Sequence, residues 1–325
     1  MNGLRWGRVA VSAVMWPRRN TYPAVLLLLL APVLFGCAGE PETGAESASP
    51  SAPAEVVPEE KAPTSAAPRP QESIEVPTLP PANDRGIVEG GDVSWPQCPK
   101  GMGIKERRTL GLPMPLETAE YVVIGLTNGP AFHPNPCLAS QVEWAKKNKL
   151  MTSAYAVTSF PDEATTRKYG DEGPGDPGTR IGRLTNVGYQ QARWNLETMK
   201  RAGLESPAVW VDVEPVAVWE WSDDIAANQA VVTGVVAGYQ DAGKRVGVYS
   251  IEGLWTPIVG DLQLQLPEWR PAGESSRSAA LERCGGDWMF QGGAAVMVQW
   301  LEDNRDRNVT CPGESVQLPL WFHQY

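Results

Sequence analysis

From residue 86 onward, short apolar runs alternate with helical stretches, and this alternation restricts the fold more than any other feature. Each run is nearly continuous in apolar residues and is bounded by turn-forming residues, as in strands buried on both faces. The runs lie at 121–126, 153–157, 208–211, 245–249 and 295–300, after an earlier strand that ends at 91–94, and helical patterns lie at 137–148, 187–202 and 224–242. Such alternation over about 240 residues predicts an α/β fold, a TIM-type (β/α) barrel. An open doubly wound sheet is the alternative, but no Gly-rich phosphate loop follows the first strand.

The N-terminal segment has the charge and hydropathy pattern of an export signal. A run of 13 apolar residues, 24–36, follows four arginines and precedes Cys37, and it is too short for a comfortable membrane span. Residues 34–37, Leu-Phe-Gly-Cys, resemble a bacterial lipobox. We therefore predict a lipoprotein signal peptide over 1–36, a lipid on Cys37 and a location on the extracytoplasmic face of the cell membrane. A plain signal peptide or an uncleaved anchor is the alternative, and Met15 is an alternative start.

Residues 37–85 are rich in Pro, Ala and acids. Between residues 38 and 85 there are ten Pro, nine acids and no aromatic residue. Such a segment cannot bury enough apolar surface to offset its conformational entropy, and Pro together with net negative charge keeps it extended. We predict a disordered tether over 37–85 that lifts a domain at 86–325 off the membrane.

The four remaining cysteines indicate disulfides rather than a metal site. An even number of cysteines in an exported domain favours two bridges. Of the three pairings that four cysteines allow, proximity in sequence favours Cys98–Cys137 and Cys284–Cys311. Zinc is the alternative, but no CxxC motif or histidine cluster accompanies these residues. We expect no metal and no cofactor.

Acidic residues stand where two of the predicted strands end. Asp92 closes the first strand, and Asp212 and Glu214 close the fourth, on the same face as Trp210. In a barrel these side chains line the carboxyl-terminal mouth, where barrel enzymes carry their chemistry. Neighbouring carboxylates push their pKa values apart, which gives the protonated and ionised pair that glycosidic cleavage needs. Helix capping or pairing with a lysine is the alternative for each acid taken alone.

Five motifs occur in an order that resembles glycoside hydrolase family 25. They are DVSWPQC at 92–98, YVVIGLTNG at 121–129, WVDVEP at 210–215, GVYSIEGLW at 247–255 and MVQW at 297–300. That family comprises lysozyme-type N-acetylmuramidases, so the resemblance implies their modified barrel and a cell-wall glycan as the partner. The SWPQC opening and the NPC at 135–137 look most similar to an actinobacterial branch of glycoside-hydrolase-like domains.

The resemblance also implies roles for individual residues. Glu214 stands in the place of the general acid, Asp212 in that of the carboxylate beside it, and Asp92 in that of the acid that orients or assists the substrate's N-acetyl group. Asp306 resembles a fourth family acid after the last strand, with Asp303 as an alternative. We expect four further residues to contact substrate: Tyr155, Trp210, Trp255 and Gln299.

The sequence departs from the family pattern in three places. Residues 125–129 read GLTNG where the family has KATEG, and residues 155–157 read YAV where it has Tyr-His-Phe. Residues 160–185, rich in Gly, Asp and Pro, are expected to form a loop that covers the mouth or decorates its edge. The residues after Cys311 have no family counterpart.

Three functions remain open at this level. One is a membrane-tethered glycoside hydrolase that acts on peptidoglycan glycan, and another is a catalytically inactive lipoprotein that binds the glycan or serves as a scaffold. The third is a purely structural envelope protein with no affinity for sugar. A net charge of -10 argues against a nucleic-acid partner. Two isolated histidines argue against a His-based triad. We expect a monomer.

Overall fold

A computed structural model describes residues 86–325, and eight strands in this part of the chain close into a barrel. The strands are β1 (Glu89–Val93), β2 (Tyr121–Gly125), β3 (Met151–Val157), β4 (Ala208–Asp212), β5 (Arg245–Tyr249), β6 (Glu268–Glu274), β7 (Ala295–Glu302) and β8 (Arg305–Thr310). Each strand pairs with the next in sequence order, and β8 closes the ring on β1. The predicted α/β barrel is confirmed. The predictions for residues 1–36, Cys37 and the tether fall outside the described residues.

The sheet is mixed, because β8 runs antiparallel to both of its neighbours while β1 to β7 run parallel. β7 and β8 form a hairpin, and its turn residues Asp303 and Asn304 both have positive φ angles. An antiparallel pair can be joined by such a short turn, whereas parallel strands need a crossover. The hairpin brings the beginning of β8 to the same end of the barrel as the carboxyl ends of the other strands.

Helices cover the outside of the barrel in the described part of the chain. They are α1 (Leu138–Lys147), α2 (Glu163–Tyr169), α3 (Arg180–Ala202), α4 (Ile225–Asp241), α5 (Glu252–Val259), α6 (Arg277–Glu282) and α7 (Leu318–Trp321), with short 3-10 turns at Trp95–Gln97, Gly286–Trp288 and Glu314–Gln317. Among these residues no helix has both the length and the apolar character needed to cross a membrane.

The two longest helices have clear sequence signals at their ends and at their contact. The Thr179 hydroxyl caps α3 by accepting from the Gly182 amide at 3.0 Å, and Asp224 caps α4 in the same way. A Cβ atom at Gly188 would lie 2.0 Å from the Val231 carbonyl oxygen on α4. Glycine therefore lets α3 and α4 approach closely.

The apolar core has an outer and an inner part. Val209, Val211 and Val213 belong to the outer part, which packs against the helices as the alternation along β4 predicts. The inner part fills the barrel and includes Trp210 and Trp269. The C-terminal segment joins this inner part, because α7 and Phe322 cover the end of the barrel opposite the mouth.

Three elements differ from the sequence-based expectation. β6 and β8 were not predicted as strands, because charged residues and a proline interrupt their apolar pattern. Residues 160–185 are not a simple loop, since they contain α2 and the start of α3. This segment is held against α3 by Asn186, whose side-chain amide donates to the carbonyl oxygens of Gly170 and Gly175.

Two disulfides fix the loops around the barrel. They join Cys98 to Cys137 and Cys284 to Cys311, the pairs that sequence proximity favours. The first links the segment after β1 to the start of α1, and the second links the segment after α6 to the end of β8. Both bridges therefore hold connections between strands rather than the strands themselves.

Candidate active site

The mouth of the barrel brings the four sequence-predicted acids into one cluster. Asp92 lies near the end of β1, Asp212 at the end of β4, Glu214 two residues later and Asp306 at the beginning of β8. Asp92 and Asp212 are buried, with 5% and 3% of their surfaces exposed, whereas Glu214 and Asp306 are partly exposed. The antiparallel β8 explains how an acid at the start of a strand joins acids at the ends of others.

Asp92 is held by two side-chain amides. Gln299 Nε2 donates to Asp92 Oδ2 at 2.8 Å, and Asn308 Nδ2 donates to the same oxygen at 2.6 Å. Burial raises the pKa of Asp92 well above its usual value, the charges of Asp306 and Glu214 raise it further, and the two amide bonds oppose this rise. Asp92 is therefore fixed in orientation.

The two amides are themselves oriented by aromatic donors. Trp269 Nε1 donates to Asn308 Oδ1 at 2.8 Å, and the Tyr249 hydroxyl donates to Gln299 Oε1 at 2.8 Å. An amide whose oxygen already accepts a hydrogen bond must present its NH₂ group on the other side. The network therefore fixes both amides as donors to Asp92. Sequence reasoning identified Gln299 but not the bond between Asn308 and Asp92.

Asp212 has the opposite environment. Its Oδ1 atom is buried and has no hydrogen-bond partner within residues 86–325. Burial raises the pKa of Asp212 well above its usual value, and the charges of Glu214 and Asp92 raise it further. Buried polar atoms in proteins almost always have a partner, so the unpaired Oδ1 of Asp212 is an exception within the described residues.

Glu214 and Asp306 are the two more accessible acids. Burial raises the pKa of Glu214 to about 7, with Arg107 lowering it and Asp306 raising it. Burial also raises the pKa of Asp306 to about 6, against a hydrogen bond from Gln97. Near pH 6.5 the cluster can therefore hold a protonated Glu214 beside an ionised partner, which is the arrangement for general acid catalysis.

Arg107 is a member of the site that sequence reasoning missed. It belongs to the long segment between β1 and β2 and is the one cation of the described residues whose charge influences any of the four acids. Its guanidinium lies over the Trp95 ring, 5.6 Å from the centroid. The segment has no regular structure, so periodicity could not place this residue. Its one sequence signal was the proximity of Trp95, which lies next to the Asp92 motif.

The expected substrate contacts divide into two groups. Tyr155 and Gln299 lie beside the acids: Tyr155 is partly exposed, and its pKa is raised well above the usual value by burial and then by Asp92. Trp210 and Trp255 are fully buried, so the prediction that they contact substrate is wrong. Trp210 stacks on Trp321 inside the barrel, 4.8 Å between centroids.

Trp255 is turned away from the mouth. It lies in α5, donates through Nε1 to the Leu262 carbonyl oxygen at 3.0 Å and packs against Phe290. The residues around the mouth offer no metal site, because no group of His, Cys, Asp and Glu side chains within 86–325 has a suitable arrangement.

Comparison with known proteins relates this chain to lysozymes. A sequence-family model described as "Lysozyme-like protein 1" matches residues 181–269, a segment that includes Asp212 and Glu214. The chain is 40% identical over 52 residues to "Probable GH family 25 lysozyme 4" of Dictyostelium discoideum and 33% identical over 85 residues to "Lysozyme-like protein 5" of Caenorhabditis elegans. These alignments confirm the resemblance to family 25 and indicate a lysozyme-like domain.

The aligned segments are short relative to both chains. They cover 16% and 25% of this chain and span only 23% and 38% of the two curated relatives. A solved family GH25 lysozyme from Aspergillus fumigatus superposes with a TM-score of 0.47 and 16% identity, covering 72% of this chain and 98% of that one.

Proposed function

We propose that the domain hydrolyses the glycan of cell-wall peptidoglycan, with Glu214 as the general acid. The observation that carries the proposal is the convergence of four acids at the barrel mouth, where burial raises the pKa of Glu214 to about 7. A carboxyl group with this pKa is protonated in about half of the molecules at neutral pH and can readily donate its proton. The lysozyme names of the curated relatives support the choice of substrate.

In the proposed reaction, Glu214 donates its proton to the glycosidic oxygen as the bond from that oxygen to the anomeric carbon breaks. The electron pair of the bond goes to the leaving oxygen. A water molecule forms the new bond to the anomeric carbon, either directly or by opening a cyclic intermediate that the substrate's acetamido oxygen has formed first, and its proton returns to the ionised Glu214 or passes to another ionised carboxylate of the cluster. Asp92 and Asp212 orient the acetamido group or the water. The place of Asp212 beside Glu214 and Asp92, whose charges raise its pKa, supports this assignment.

The variant Glu214→Gln tests the proposal, with release of reducing ends from purified peptidoglycan as the measurement. Loss of the general acid should lower kcat by about 10²- to 10⁴-fold. Glu220→Gln is the matched control, because Glu220 is an exposed acid on the same loop, and it should keep full activity. Absence of turnover in the wild-type protein, with glycan binding in both forms, would instead support the catalytically inactive binding lipoprotein.

We propose further that the mature protein is a monomer anchored to the extracytoplasmic face of the membrane by a lipid on Cys37. The support is the apolar run at 24–36 followed by Leu-Phe-Gly-Cys. Cys37→Ala should abolish incorporation of a labelled fatty acid. Incorporation that persists in this variant would contradict the assignment, and light scattering of the detergent-solubilised protein tests for the monomer.

A further inference from the structure

The segment that carries Arg107 is fixed in place over the barrel mouth. Asn128, which follows β2, accepts from the Ile104 amide at 2.8 Å through Oδ1 and donates through Nδ2 to the Arg107 carbonyl oxygen at 3.1 Å. The Cys98–Cys137 disulfide ties the beginning of the segment to α1. Because both backbone groups are held by one amide side chain, the position of Arg107 is defined before any ligand binds.

The surroundings of the Arg107 side chain are shaped to receive it. Trp95 provides an aromatic face on one side. Gly129 has φ +95°, and a Cβ atom there would lie 3.1 Å from Arg107 Nε, closer than a side chain normally packs. Glycine at 129 therefore leaves room for the Arg107 side chain.

The guanidinium lacks a partner although it is partly buried. Within residues 86–325, it makes no ion pair within 4 Å and its five N–H groups donate to no protein acceptor. Burial lowers the pKa of Arg107, and Glu214 opposes this change. A planar fork of donors that is held in place and left unpaired matches a carboxylate, which can accept two parallel hydrogen bonds.

The guanidinium of Arg107 can offset the negative charge of the acids at the mouth. An ionised acid at the mouth repels a ligand that carries a negative group, and Asp306, with a pKa of about 6, is ionised at neutral pH. Among residues 86–325, Arg107 is the one cation whose charge shifts the pKa of any of these acids. Besides lowering the pKa of Glu214, the charge of Arg107 can offset this repulsion for a glycan that carries a carboxylate.

We propose that Arg107 determines substrate specificity by binding a carboxylate of the glycan at the rim of the acid cluster. The inference rests on the proposed hydrolase function and adds a feature of its substrate, a carboxylate within reach of Trp95 and Glu214. Two parts of a peptidoglycan strand can supply that carboxylate: an acidic sugar and the peptide attached to it.

Steady-state kinetics with matched substrates test the proposal. Soluble peptidoglycan fragments would be compared with the same fragments after their carboxylates have been converted to methylamides. For the wild-type protein, amidation should raise KM about 10- to 100-fold, the range expected for loss of a charge-assisted bidentate contact. Arg107→Gln should raise KM to the same extent on untreated fragments, with kcat changed far less, and should have no further effect on amidated ones.

Two additional variants distinguish a role of Arg107 in substrate specificity from a merely structural role. Arg107→Lys keeps the charge without the planar fork and should give an intermediate KM. Lys105→Gln changes an exposed cation on the same segment and should leave both substrates unaffected. Equal losses of Arg107→Gln on untreated and amidated fragments would overturn the proposal, because a merely structural role does not depend on the substrate's charge.

Two further experiments complete the test. One identifies the source of the carboxylate, and the other measures binding, so that it does not depend on hydrolysis. If fragments in which only the peptide carboxylates are amidated keep the dependence on Arg107, the carboxylate belongs to the sugar, and if they lose it, the carboxylate belongs to the peptide. Binding of the same fragments to Glu214→Gln protein, with and without Arg107→Gln, requires no turnover. A carboxylate-dependent binding difference there would uphold the role of Arg107 even if hydrolysis itself were absent, and no difference would overturn it.

Discussion

Glu214 and Asp306 differ from ordinary surface acids because each loses hydration in the barrel mouth. Burial raises the pKa of Glu214 to about 7 and that of Asp306 to about 6. If Glu214 is the general acid, the reaction needs its protonated form, so kcat/KM should fall as pH rises through about 7. Arg107 lowers the pKa of Glu214, so Arg107→Gln should move this descending limb to higher pH. A limb that stays at the same pH in Arg107→Gln would contradict the assignment of that limb to Glu214.

The same pKa shifts make stability depend on pH. A carboxyl group whose folded-state pKa is raised favours the protonated folded protein, so its stabilising effect is complete below its unfolded pKa and is lost as pH rises through the folded value. We therefore expect the Tm to fall by about 3–6 °C between pH 5 and pH 8. Glu214→Gln, which cannot ionise, should flatten this profile, and an equally steep profile in that variant would contradict the explanation.

The side chains of β4 show how far sequence reasoning extends at the residue scale. Alternation correctly placed Trp210 and Asp212 on one face of the strand. Alternation does not tell how far along the barrel axis a side chain lies. Trp210 and Asp212 are two residues apart, which corresponds to about 6–7 Å along the strand. Asp212 therefore reaches the mouth, whereas Trp210 lies below it against Trp321. Arg107 was missed for a different reason, since its position depends on Asn128 in a distant part of the sequence.

Among the elements, β6 is the strand that is hardest to predict from its sequence. It contains Glu268, Arg270 and Pro271, which do not resemble a buried strand. In the structure Arg270 Nε donates to Glu268 Oε2 at 2.6 Å, and both side chains are almost completely buried. Glu268 Oε1 accepts from the backbone amides of Gln291 and Gly293. The ion pair therefore ties β6 to the segment before β7, an arrangement that no local pattern predicts.

Arg270→Met tests the importance of this pair. It leaves the Glu268 carboxylate buried without its cation, so we expect the free energy of unfolding to fall by about 3–5 kcal/mol. Arg277→Met is the control, because Arg277 pairs with Glu89 at a partly exposed position and its loss should cost about 1 kcal/mol or less. Urea unfolding measures both, and similar losses in the two variants would contradict the special role of the buried pair.

At the scale of the whole molecule, the two ends of the barrel differ in what they contain. The mouth holds the acids, and the opposite end is covered by the C-terminal segment. There Trp321 stacks on Trp210, and Phe322 packs on Tyr121 with 4.5 Å between ring centroids. The barrel class and the position of the mouth follow from alternating patterns, but this cover does not, because it joins residues 318–322 to β2 and β4.

Trp321→Ala tests whether the covered end of the barrel contributes to stability without affecting substrate binding at the mouth. Removing a buried indole from the inner core should lower the free energy of unfolding by about 3–5 kcal/mol, measured by urea denaturation. Because Trp321 lies far along the barrel from the acids, the remaining folded protein should keep the wild-type KM for peptidoglycan fragments. Val316→Ala is the control, since Val316 belongs to the same segment but is exposed, and it should cost less than about 1 kcal/mol. A Trp321→Ala protein of wild-type stability would show that the C-terminal cover is dispensable, whereas a raised KM in stable protein would show that the two ends are coupled.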